Sequence, residues 1–62
     1  MPIVEITVVE GRDEAKVQQC IKEVAQVVNR TLEAPMQSIR VWVNEVPPGR
    51  FAVGDQLKSE KK

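Results

Sequence analysis

The chain has 62 residues, nine basic and nine acidic side chains, no histidine and one cysteine, Cys20. A net charge of zero leaves no cation excess for phosphates, which argues against nucleic acid. One cysteine rules out an internal disulfide, and a lone thiol without histidine argues against a metal. A core of this size supplies only about 3–5 kcal/mol, so oligomerisation is the remaining route to stability, and 42% hydrophobic residues leave apolar surface for it. One domain, residues 1–62, is expected. The apolar runs fall far short of the ~18 residues of a membrane span, and the N-terminus lacks the basic and apolar regions of a signal peptide. No membrane partner and a reduced, cytoplasmic compartment are therefore expected. The tail Lys58-Ser59-Glu60-Lys61-Lys62 reads as a solvated terminus.

The first twelve residues organise the rest. A proline follows the initiator methionine, and Pro2 is small enough for Met1 normally to be removed. Its ring nitrogen then becomes a secondary amine, which accepts a proton as an amide does not. From Ile3 to Val9 the chain alternates: Val4, Ile6 and Val8 fall on one face and Ile3, Glu5, Thr7 and Val9 on the other. The first face suits burial under a helix; the second, mixed one suits a subunit interface with a pocket at its rim.

Glu10-Gly11-Arg12 ends this strand, and Asp13 is placed to cap a helix whose first turn carries Glu14. Val17, Cys20, Ile21, Val24, Val28 and Leu32 recur at intervals of three and four as one apolar stripe, with Cys20 expected in the core. The helix should end near Leu32, because Pro35 disfavours helical geometry at Ala34. Ser38 to Val46 alternates again, with Ile39, Val41 and Val43 opposite Arg40, Trp42 and Asn44. Strand, long helix, strand is a βαβ unit with parallel strands and a right-handed crossover. Pro47-Pro48-Gly49 turns the chain, Phe51-Ala52-Val53 forms a short strand, and Gly54-Asp55 turns it again.

Few residues can carry chemistry, since there is no Ser-His-Asp set, no Cys-His pair and no phosphate-binding glycine loop, and no cofactor is expected. Pro2 as a free amine is suited to general base work if apolar walls and neighbouring cations disfavour its charged form. Arg12 suits a carboxylate held by two parallel hydrogen bonds. The strand separates it from Pro2 by more than ~20 Å, so it reaches Pro2 only if the chain turns back or a neighbouring subunit supplies it. Arg40 shares a face with Trp42; the pair can wall a pocket for a planar anion or pack at an interface. Phe51 can close an apolar lid or cover the sheet as part of an edge hairpin.

With these residues in view, the chain resembles the 4-oxalocrotonate tautomerase family over essentially its whole length. The resemblance rests on Met1-Pro2-Ile3, Glu10-Gly11-Arg12, Ala34-Pro35-Met36-Gln37-Ser38-Ile39-Arg40-Val41, then Glu45, Gly49, Phe51 and Gly54. It implies an α+β fold, a short βαβ unit with a C-terminal β-hairpin, completed by assembly into a homohexamer, a trimer of dimers. It implies an isomerase acting on a small unsaturated keto or enol acid such as 2-hydroxymuconate, in the catabolism of aromatic compounds. Pro2 would move the proton as base and acid, and Arg12 would bind the distal carboxylate. Arg40 of a neighbouring subunit would engage the 2-oxo or hydroxyl group and the adjacent carboxylate. Ser38 would contribute to substrate binding, and Phe51, Val9 and Val53 would shape an apolar wall. Trp42, where the family usually has an aliphatic residue, together with Pro47-Pro48 and Arg50, departs from the pattern and bears on the substrate. Two other functions fit the residues. A relative that adds water to haloacrylates would need a carboxylate where Val53 stands, with Glu10 or Asp55 as substitutes. A non-catalytic oligomeric binding protein would keep Met1.

Overall fold

The computed structural model of the chain describes residues 1–60; Lys61 and Lys62 of the charged tail lie outside the described residues. Strand β1 (Ile3–Val9) leads into helix α1 (Glu14–Leu32) and then strand β2 (Arg40–Val46). The short strands β3 (Ala52–Val53) and β4 (Gln56–Leu57) follow, with 3₁₀ turns at Met36–Ser38, Pro48–Arg50 and Lys58–Glu60. β1 and β2 are parallel, in register from Ile3 opposite Arg40 to Val9 opposite Val46. Backbone bonds extend the ladder at both ends, from Arg40 N–H to the Pro2 carbonyl (3.0 Å) and from Glu10 N–H to the Val46 carbonyl (2.9 Å). β3 and β4 pair antiparallel, so the βαβ unit and the C-terminal hairpin are both present.

The helix begins and ends as its residues require, with one difference. Asp13 occupies the N-cap position, but its side chain makes no capping hydrogen bond. Its backbone carbonyl accepts from Lys16 and Val17 N–H at 3.0 and 3.1 Å, while Glu14 accepts from Gln18 across one turn at 3.1 Å. At the other end Glu33 takes the left-handed conformation (φ 57°, ψ 37°), and Asn29 donates to the Ala34 carbonyl at 2.7 Å. That bond ties the segment just past the helix back to its last turn.

The helix covers one face of the two strands only partly. Val17, Ile21, Val24 and Val28 are half-buried, but Cys20 and Leu32, expected on the core stripe, are exposed. A helical stripe spans 100° or more, whereas two strands about 4.8 Å apart offer a narrow floor, so the flanks of the stripe overhang it. The second strand is also shorter than its alternation implies. Ser38 belongs to a 3₁₀ turn, with its hydroxyl donating to the Pro35 carbonyl at 2.8 Å. Phe51 closes another turn, its N–H pointing to the Pro48 carbonyl, and β3 starts one residue later.

One chain alone is unfinished. Ile39 is the only buried hydrophobic side chain among the described residues, at 9% exposure. On the sheet face away from the helix, Ile3, Glu5, Thr7, Arg40, Trp42 and Asn44 are all exposed. The Cα radius of gyration is 14.7 Å, against about 11 Å for a compact chain of this length. The accessible surface is 4964 Å², against roughly 4,000 Å² for a folded monomer of this mass. Among the described residues no helix is long and apolar enough to cross a membrane.

Candidate active site

The parallel register decides which candidate residues meet. β1 and β2 start at the same end, so Pro2 lies beside Ser38, Ile39 and Arg40 of its own chain, tied by the bond from Arg40 N–H to the Pro2 carbonyl. Pro2 is half-buried and Met1, ahead of it, is 78% exposed. Two of the three residues expected to do chemistry are thus neighbours along the backbone.

Their side chains diverge. By the alternation of β1, Pro2 continues the series Val4, Ile6, Val8 toward the helix side, whereas Arg40 belongs with Trp42 and Asn44 on the uncovered face. The Arg40 guanidinium folds back to donate to the Gln37 carbonyl at 2.8 Å and the Ile39 carbonyl at 3.3 Å. Arg40 of one chain is therefore presented to whatever covers the open face, not to its own Pro2.

Arg12 lies at the opposite end of β1, beyond Gly11, whose φ of 121° favours glycine. Six steps of strand separate Ile3 from Val9, about 20 Å, and the chain does not turn back. Arg12 instead edges a groove of about 480 Å³ between β1 and the start of α1, with Asp13, Lys16 and Cys20 beside it and Ile6, Val8 and Val43 among its floor. Pro2, Arg40 and Phe51 do not line that groove.

The apolar candidates follow the same division. Val9 ends β1 near Arg12. Phe51 and Val53, the latter 72% exposed, lie on the arm that leaves the far end of β2. That arm packs on itself: the Lys58 N–H donates to the Phe51 carbonyl at 2.8 Å, and the hairpin rests against the turn at Pro48–Arg50. Trp42, 46% exposed, stands mid-sheet opposite Glu5. One chain thus carries a group at the strand starts (Pro2, Ser38, Arg40) and another at the strand ends (Val9, Arg12, Phe51, Val53), held apart by the length of the sheet.

Two contributors escaped the reading of the residues. Gln37 holds the Arg40 guanidinium through its carbonyl, an interaction of the 3₁₀ turn that leaves no residue-type signal. Lys16, in the first turn of α1, adds a second cation to the Arg12 groove, and nothing in its residue type distinguishes it from the other lysines of the helix.

A small βαβ chain with a terminal hairpin, a proline at the head of the sheet and two arginines on its margins matches the class of the tautomerases. The chain belongs to that family: its profile, described as Tautomerase enzyme, matches residues 2–61. A 2-hydroxymuconate tautomerase of Pseudomonas putida is 38% identical over 60 residues, covering 97% of this chain and 95% of the relative. Among solved structures, TomN, a 4-oxalocrotonate tautomerase homologue of the tomaymycin biosynthetic pathway, superposes with a TM-score of 0.89 at 32% identity, covering 95% of this chain and 91% of that one. Another 4-oxalocrotonate tautomerase homologue superposes with a TM-score of 0.92 at 29% identity, covering 100% of this chain and 98% of that one.

Proposed function

We propose that the chain is an isomerase that moves a proton in a 2-hydroxy-dienoate such as 2-hydroxymuconate, with Pro2 as base and acid, in a site shared between subunits. The observation that carries this reading is the placement of Pro2. The head of β1 is fastened to β2 by the Arg40-to-Pro2 backbone bond, while the exposed Met1 is open to removal. Loss of Met1 leaves an amine held at a fixed point of a sheet. Such an amine takes the enol proton, becoming prolinium, and then delivers a proton to a chain carbon, which returns the ring nitrogen to its starting state. No water or cofactor enters the balance.

The arginines supply the rest of the chemistry. Arg12 of a neighbouring subunit holds the distal carboxylate and draws electron density toward it, stabilising the dienolate that forms as the proton leaves. Arg40, presented on the uncovered face, serves the 2-oxo end and its carboxylate in an adjoining subunit. Both cations disfavour prolinium, keeping the base available near neutrality. Phe51, Val53 and Val9 form the apolar wall, Ser38 borders the site beside Pro2, and Trp42 narrows it. A homohexamer built as a trimer of dimers accommodates these exchanges, in the cytoplasm. One relative is named for 2-hydroxymuconate and one structural neighbour belongs to the tomaymycin biosynthetic pathway, and Trp42 is the residue expected to set which dienoate fits this chain best.

The test is the ultraviolet absorbance of 2-hydroxymuconate mixed with chain whose intact mass verifies loss of Met1. Rapid conversion to the conjugated ketone, abolished by Pro2→Ala, is the expected result. No acceleration over buffer by folded, Met1-free oligomer would remove this substrate.

A further inference from the structure

The arm that follows β2 carries two cations to which the proposed chemistry gives no task. Arg50 ends the 3₁₀ turn Pro48–Arg50, directly ahead of Phe51, and Lys58 opens the turn Lys58–Glu60. The two turns rest against each other, and the Lys58 N–H donates to the Phe51 carbonyl at 2.8 Å. Phe51 is therefore bracketed by cations, one along the chain and one across a backbone bond. Both Arg50 and Lys58 are exposed.

The local sequence holds Arg50 in place and sets the acids of the arm apart from it. Pro47 and Pro48 fix two φ angles, and the Arg50 N–H donates to the Pro47 carbonyl at 2.9 Å. Little backbone freedom is then lost when the side chain binds a ligand. Ala52 pairs with Leu57 and Val53 with Gln56, so Asp55 stands at the hairpin tip while Arg50 and Lys58 stand at its base. Glu60 shares that base, but its carboxylate already accepts from the Leu57 N–H at 3.1 Å and from Gln56 at 3.4 Å.

Arg50 also leaves the same end of the sheet as Arg12. Val9 lies opposite Val46 where the strands finish, and Arg12 and Arg50 follow those residues by three and four positions. A two-pronged bond from Arg12 occupies about two of the roughly four acceptor positions of a carboxylate. The others stay open to a second donor.

We propose that Arg50 is a specificity-determining residue that binds the carboxylate remote from the 2-hydroxyl group, beside Arg12, with Lys58 adding to the positive potential there. The assignment rests on the reading of the chain as a dienoate isomerase and adds a preference to it. Diacids are favoured over dienoates whose far end is uncharged.

The experiment compares 2-hydroxymuconate with 2-hydroxypenta-2,4-dienoate, a dienol without the second carboxylate. Arg50→Gln should lower the ratio of their kcat/KM values, diacid over monoacid, about tenfold, with the change carried by KM. Equal losses on both acids, or an unchanged ratio, would overturn the assignment. Binding gives a reading that needs no turnover. Muconate and sorbate are dienes with two carboxylates and one, and neither has a hydroxyl group to tautomerise. Calorimetry should show muconate bound more tightly, and that advantage should fall about tenfold in Arg50→Gln. A chain that turned over neither dienol yet kept this preference would lose the isomerase reading and retain the role of Arg50. If Arg50→Gln instead loosened the assembly on sedimentation while both ratios held, Arg50 would be a contact between chains and the proposal would fall.

Discussion

Pro2 is the residue most open to test, because its proposed role depends on one bond, the peptide to Met1. With that bond cut, Pro2→Ala is expected to lower kcat/KM by about 10²–10⁴-fold, read by stopped absorbance on the dienoate. The pH profile adds a sign. In the proposed mechanism the unprotonated amine is the base, so kcat/KM is expected to fall as pH falls on the acid side. Removing a neighbouring cation lets prolinium persist to higher pH. Arg12→Ala should therefore move the acid limb upward in pH as well as lowering the rate. A profile that drops in height without moving would mean that Arg12 binds substrate but has no field at the amine. Arg40 already shows why sequence position and side-chain position differ: its backbone adjoins Pro2, yet its guanidinium turns to Gln37 and Ile39.

At the scale of elements, two backbone positions carry most of the shape. Gly11 at φ 121° lets the chain leave β1 and enter α1, and Gly11→Ala is expected to cost about 1–3 kcal/mol, measured by urea unfolding at fixed protein concentration. Glu33, left-handed at the helix end, is the opposite case, since glycine takes that conformation without strain. Glu33→Gly should stabilise by about 0.5–1 kcal/mol, and a loss instead would show that its side chain does something the backbone argument omits. The elements themselves were largely legible. Alternation at Ile3–Val9 and Ser38–Val46 identified both strands and their faces, the second two residues too early, the three-and-four spacing identified α1, and Pro35 marked its end. Cys20 and Leu32 were misplaced because periodicity gives the direction of a stripe and not the width of the floor beneath it. Ser38 fell in a turn because its hydroxyl and backbone both bond to Pro35, a local choice that alternation does not register. The separation of Pro2 from Arg12 was readable from strand length alone, whereas the backward fold of the Arg40 guanidinium was not, since it depends on carbonyls that every residue has.

The whole molecule is defined by what one chain lacks. An elongated body with a single buried hydrophobic among its described residues would gain its core from other copies in the proposed assembly. Trp42, the only tryptophan, reports on this directly because it stands 46% exposed on the open face. Its emission should shift to longer wavelength on dilution, together with a fall in melting temperature, since association and stability are linked by mass action. Emission that is independent of concentration and already solvent-like would place the sheet face outside the assembly.

The central claim is that the site is assembled from different chains, and complementation tests it most directly. Pro2→Ala and Arg12→Ala variants, each nearly inactive alone, are to be unfolded together, refolded as a mixture and assayed on 2-hydroxymuconate. If one chain supplies Pro2 and another Arg12, random assembly leaves about a quarter of the sites with both residues intact. The mixture should then recover a comparable fraction of wild-type activity. Activity equal to the mean of the two parents, in mixed oligomers verified by native mass, would place both residues in one chain's site and contradict the shared arrangement.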